Sequence, residues 1–138
     1  MFQLDITQEF NTSVANLFDA WCNTDVIKRW FAPGDMTVPE ASVDFRKNGF
    51  YRIVMQEKDG SEHIIGGQYK DIISNEKLVF TWQWENSPFV TTVTILFSEL
   101  VGGRSKLKLT HQEFTDQETC EKHTHGWNGC LANLTNAI

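Results

Sequence analysis

The chain is 138 residues long, 41% hydrophobic and 22% charged, and its 12 basic and 18 acidic side chains leave a net charge of −6. That is one domain's worth of chain (residues 1–138), enough to bury roughly 68–70% of its unfolded surface without disulfide or metal staples. No basic cluster exceeds two neighbours (Lys28-Arg29, Arg46-Lys47), which argues against nucleic acid and against anionic membrane surfaces as partners.

No apolar run approaches the roughly 18 residues of a membrane span. The N-terminus, Met1-Phe2-Gln3-Leu4-Asp5, lacks the basic and apolar regions of a signal peptide. Cys22, Cys120 and Cys130 are odd in number and show no framework spacing, which predicts reduced thiols and a cytoplasmic location. There is no CxxC, P-loop, GxGxxG or HExxH, and no cofactor is expected. The aromatic content is high, with ten Phe, five Trp and two Tyr, as suits a large core or an aromatic-walled cavity.

Phe2 to Thr7 alternate apolar and polar residues, the pattern of a half-buried strand. Asn11 is a good N-cap, and Val14, Leu17, Phe18 and Trp21 follow at the spacing of one helical face. Thr24-Asp25 resembles a second cap, before a short helix carrying Ile27, Trp30 and Phe31 and ended by Pro33-Gly34. From residue 36 the period becomes two. Strands are expected at about 36–46, 50–57, 62–73, 77–85, 89–99 and 104–114. Asn48-Gly49, Asp59-Gly60, Ser74-Asn75, Asn86-Ser87-Pro88 and Gly102-Gly103 punctuate them, so the strands form an antiparallel meander. Gly66-Gly67 inside a strand predicts a bulge or sharp bend. Thr115-Asp116-Gln117-Glu118 has capping-box form, and Cys120, His123, Trp127, Leu131, Leu134 and Ile138 mark an amphipathic helix of about 20 residues.

The order β-α-α-β-β-β-β-β-β-α predicts an α+β architecture. A curved antiparallel sheet wraps the long C-terminal helix, and two short helices after the first strand close one end. A pocket between helix and sheet is a common product of this arrangement.

The sequence resembles the START-like (SRPBCC) superfamily, which includes the birch-pollen allergens and polyketide cyclases. More narrowly, it resembles the domain named after the activator of the heat-shock-protein-90 ATPase. The resemblance is carried by Ala20-Trp21, Arg29-Trp30-Phe31-Ala32-Pro33, Asp44-Phe45-Arg46-Lys47-Asn48-Gly49, Gly66-Gly67-Gln68-Tyr69, Leu78-Val79-Phe80-Thr81-Trp82 and His125-Gly126-Trp127 with Leu131 and Leu134. It implies the helix-grip fold and a small hydrophobic ligand. A few related proteins are enzymes, and the eponymous co-chaperone carries a second domain for which this chain has no room.

Candidate site residues follow from strand and helix parity. His111 and Glu113 share the inward parity of Leu107 and Leu109, so they form either a ligand-orienting or acid/base pair, or a solvated strand end. His123 lies on the apolar face of the last helix, one turn before Trp127, and is either a general base or hydrogen-bond anchor or a satisfied core-edge residue. A zinc site of His111, Cys120 and His123 lacks any recognised spacing, and no metal is expected. Trp82 and Trp84 share parity with Leu78 and Phe80 and either line a pocket or pack as core. Asp44 and Arg46 share one strand face: inward, Arg46 clamps an anionic ligand; outward or at the rim, the pair is solvent-screened and worth little. Tyr51 has the same ambiguity of face, and Trp30 with Phe31 forms either a structural lid or a gate.

Three functions remain in view. One is a cytosolic module binding a small hydrophobic or aromatic molecule through Trp82, Trp84, His111, Glu113, His123, Trp127, Trp30, Tyr51 and Arg46. Another is a hydrolase or cyclase using His111, Glu113 and His123 in the same pocket. The third is a partner that stimulates a chaperone ATPase. A non-enzymatic role is the expectation, and exposed edge strands leave room for a homodimer.

Overall fold

The computed structural model describes residues 1–138. Strands β1 (Phe2–Phe10), β2 (Thr37–Val43), β3 (Phe50–Gln56), β4 (Glu62–Ile73), β5 (Lys77–Trp84), β6 (Thr91–Leu100) and β7 (Arg104–Phe114) form one antiparallel sheet in the order β1-β7-β6-β5-β4-β3-β2. Helices α1 (Val14–Asp19) and α2 (Thr24–Trp30) carry the chain from one sheet edge to the other, and α3 (Gln117–Ala137) closes it. This is the expected helix-grip architecture.

The helix boundaries differ from the sequence reading by small steps. The α1 cap is Ser13, whose Oγ accepts from the Asn16 N–H at 3.1 Å, while Asn11 Oδ1 instead accepts from Arg104 Nε at 2.8 Å. Asn23 rather than Thr24 caps α2. Asp116 rather than Thr115 caps α3, accepting from the Thr119 N–H at 2.7 Å. In each case a neighbouring short polar side chain reaches the free N–H groups of the first turn.

Thirty-one buried apolar residues form one core cluster between the sheet and the helices. Trp30 is fully buried and its Nε1–H donates to the Ala20 carbonyl at 2.9 Å. On α3, Cys120, Trp127, Cys130, Leu131 and Leu134 face inward. Two amides fix the helix in place. Gln8 Nε2 donates to Thr135 Oγ1 at 2.8 Å, and Asn133 Nδ2 donates to the carbonyls of Ala32 (2.7 Å) and Gly34 (3.0 Å).

Three local expectations are corrected. First, β2 ends at Val43, so Asp44 and Arg46 lie in a loop; Arg46 Nε bonds Asp44 Oδ2 at 2.9 Å and its side chain is 77% exposed. Asn48-Gly49 lies in the wider turn that joins β2 to β3, with Asn48 at φ 69° and the Gly49 N–H donating to the Arg46 carbonyl at 2.8 Å. Its backbone pairs with Tyr69, since the Asn48 N–H donates to the Tyr69 carbonyl and the Tyr69 N–H to the Gly49 carbonyl. Second, the register shift in β4 falls between Tyr69 and Asp71, beyond the two glycines. Gly67 serves a close approach instead: a Cβ there would run into the Thr81 carbonyl oxygen. Third, Glu113 adopts φ 80° at a register irregularity between β1 and β7, which breaks the alternation. Glu113 therefore turns out to solvent and Phe114 takes the inward side.

Candidate functional site

An apolar pocket of about 260 Å³ opens between the sheet and α3. Its walls are Trp82 and Trp84 from β5, Met55 from β3, and Phe31, Pro33 and Met36 from the segment after α2. The helix contributes His123, Gly126, Trp127 and Cys130, spaced i, i+3, i+4 and i+7 so that they share one face. His63 and Lys122 stand among the lining residues; His63 is tied to Glu57 at 2.7 Å and Lys122 to Glu118 at 3.2 Å. Gly126 leaves room, since a Cβ there would meet nothing within 4 Å.

The parity of β5 puts Trp82 and Trp84 on the helix-facing side, as expected. Their rings meet edge to face at 5.6 Å, and Trp82 lies 5.1 Å from Trp127. Such offset contacts between large rings hold the wall in one arrangement.

The two histidines meet as well, with ring centroids 5.3 Å apart, and each is fully engaged. Trp127 Nε1–H donates to His111 Nδ1 at 3.0 Å. Indole nitrogen is only a donor, so the His111 proton sits on Nε2 and points at Thr91 Oγ1, 2.7 Å away. Thr91 in turn donates to the Trp82 carbonyl at 3.3 Å. In mirror fashion, Trp84 Nε1–H donates to His123 Nε2 at 3.0 Å, so Nδ1–H of His123 donates to the Thr119 carbonyl at 2.8 Å. Burial holds both imidazoles neutral. It lowers the His111 pKa to about 3, with the nearby His123 adding to the effect, and it lowers that of His123 against the opposing Thr119 hydrogen bond. Neither ring has a free lone pair or a proton to give.

His111 is fully buried behind Trp127 and does not line the pocket. Three other sequence candidates lie elsewhere. Arg46 is on the exposed loop after β2. Trp30 belongs to the core, spent on Ala20. Tyr51 is buried under β4, its hydroxyl donating to the Thr81 carbonyl at 2.6 Å. Glu113 borders a second concavity of about 440 Å³, bounded by the β5–β6 loop, the end of β7 and the start of α3. The sequence reading missed Pro33, Met36, Met55, His63, Lys122, Gly126 and Cys130 as lining residues. The helical spacing from His123 pointed to Gly126 and Cys130. Met36 and His63 reach the pocket only through the tertiary fold.

The Cys130 thiol is pushed up to about 12 by burial alone, so it lines the pocket as an apolar group rather than as a nucleophile. Among the wall's indoles, Trp82 Nε1 is buried without a partner. No helix is long and apolar enough to cross a membrane.

With this geometry in view, the comparisons with known proteins place the chain. It belongs to the family described as Activator of Hsp90 ATPase homolog 1-like protein, which matches residues 11–138. No curated protein matches it. Among solved structures it is similar to the AHSA1 protein of Silicibacter pomeroyi, with 24% identity and a TM-score of 0.88 over 98% of this chain and 96% of that one. It is also similar to a protein of Nitrosomonas europaea (19% identity, TM-score 0.86, 98% and 92% covered). A third is CalU16 of Micromonospora echinospora (22% identity, TM-score 0.74, 98% and 74% covered). At these identities the structural likeness establishes the fold.

Proposed function

We propose that this protein is a cytoplasmic binding module that holds a small aromatic molecule between β5 and α3. One observation carries the reading: an apolar pocket walled by Trp82, Trp84 and Trp127, in which the Trp84 and Trp127 indole N–H groups are spent on the two histidines. Flat indole faces suit a flat apolar guest. The volume of about 260 Å³ lies just below the roughly 300–1,000 Å³ common for ligand sites and fits a molecule of one or two rings.

The hydrolase or cyclase reading is weaker. It asks two of His111, Glu113 and His123 to converge on one substrate atom. His111 is screened by Trp127, Glu113 faces solvent, and His123 has both nitrogens engaged. The binding reading also stands ahead of ATPase stimulation because it rests on a formed pocket.

Native mass spectrometry of the protein, incubated with an apolar metabolite extract, tests the proposal. A bound mass in the protein, absent from Gly126→Leu, is the expected result. An equal bound mass in both, or none in either, overturns it.

A further inference from the structure

We propose that Trp84 and His123 form a movable partition inside one larger binding space, and that opening it admits an elongated aromatic molecule of about three rings. The inference rests on the pocket reading above. Trp82, Trp84 and His123 line both the pocket of about 260 Å³ and the concavity of about 440 Å³. The first opens toward β3, β4 and the segment after α2. The second opens toward the β5–β6 loop and the start of α3. Only the wall made by these three side chains is common to both.

The three are not equally fixed. Trp82 is 6% exposed and packs on Phe31, Trp127 and His111. His123 is anchored to its own helix through Thr119. Trp84 is the last residue of β5, half-buried, and its one polar tie is the bond to His123 Nε2. It precedes a loop in which Phe89 and Val90 are exposed. Trp84 is therefore the movable member: its one side-chain hydrogen bond, with its ring contacts to Trp82 and His123, holds the partition shut. The Trp82 Nε1–H, on the same wall, is buried and unpaired. A carbonyl on a molecule spanning both lobes would accept from that N–H.

The test measures affinities of naphthol, fluorenone and its carbonyl-free twin fluorene by NMR titration of the protein, Trp84→Phe and Trp84→Ala. Trp84→Phe keeps a ring but loses the tie; Trp84→Ala removes the partition. Fluorenone affinity itself is expected to rise roughly five- to tenfold in Trp84→Phe, the scale of one lost neutral hydrogen bond. Fluorenone should also bind Trp84→Ala more tightly than fluorene does. Unchanged or weaker fluorenone binding in Trp84→Phe, with naphthol bound by the unaltered protein, overturns the partition and leaves the pocket reading standing. Equal affinity for fluorene and fluorenone removes Trp82 as the recognising donor. Failure of naphthol to bind any of the three proteins overturns both readings.

Discussion

Trp127 Nε1 donates to His111 Nδ1 at 3.0 Å, and this bond decides which imidazole nitrogen holds the proton. It makes His111 a structural acceptor. Trp127→Phe leaves that acceptor buried and unpaired, at a cost of about 1–3 kcal/mol. Urea unfolding at neutral pH measures the loss. A change within about 0.5 kcal/mol, the range of an ordinary surface substitution, would show that the bond does not hold the site together.

Acid should destabilise the protein through the same residue. His111 titrates at about 3 when folded and near 6.5 when free, so between those values the unfolded chain binds the extra proton. Stability conferred by the neutral imidazole is thus complete above about pH 6.5 and is lost progressively as pH falls toward 3. His123, shifted in the same direction, adds to the slope. Unfolding midpoints from pH 7 to pH 4.5 should fall more steeply for the protein than for His111→Gln. Parallel slopes would mean that His111 is not held neutral.

Two helix glycines give opposite predictions. A Cβ at Gly126 meets nothing, so Gly126→Ala should stabilise α3 by about 0.8–1 kcal/mol, the propensity difference between the two residues. A Cβ at Gly129 comes within 3.0 Å of Pro33 Cβ and 3.2 Å of its Cα, so Gly129→Ala should lose that gain to crowding. Thermal melts compare the pair directly. Equal stabilisation by both would contradict the close packing of α3 on the segment after α2.

In β4, Gly67→Ala drives a methyl into the Thr81 carbonyl, and Gln68 N–H would lose its 2.8 Å bond to Thr81 Oγ1 if the strands parted. Destabilisation by about 3 kcal/mol or more is expected, in the range of severe overpacking. Arg46→Ala is the contrasting case: its pair with Asp44 is exposed, and such pairs contribute about 0–1 kcal/mol. Chemical denaturation of the two variants should separate them clearly, and comparable losses would argue against the loop assignment.

The fold was largely legible because its signals are local. Alternation in β5 put Leu78, Phe80, Trp82 and Trp84 on one face, and the helical spacing from Cys120 to Leu134 marked α3. The site was legible only where it sits on such regular elements, as with Trp82, Trp84, His123 and Trp127. Parity failed at Glu113 because a left-handed backbone turns its side chain out. At Arg46 it left both faces open, and the side chain is exposed because β2 stops three residues short. The pairing of each histidine with an indole was invisible for a different reason: Trp84 and His123 are 39 positions apart, Trp127 and His111 are 16 apart, and only the packing of α3 on the sheet joins them.

A small aromatic molecule held between β5 and α3 would lie against Trp82, Trp84 and Trp127. The five tryptophans make that contact directly observable, since each indole N–H gives its own signal in a proton–nitrogen NMR spectrum. Titration with naphthol should give saturable shifts of the Trp82, Trp84 and Trp127 indole signals, with Trp21 and Trp30 unmoved. Shifts confined to Trp21 and Trp30, or no saturable shift at any of the five, would contradict binding between β5 and α3.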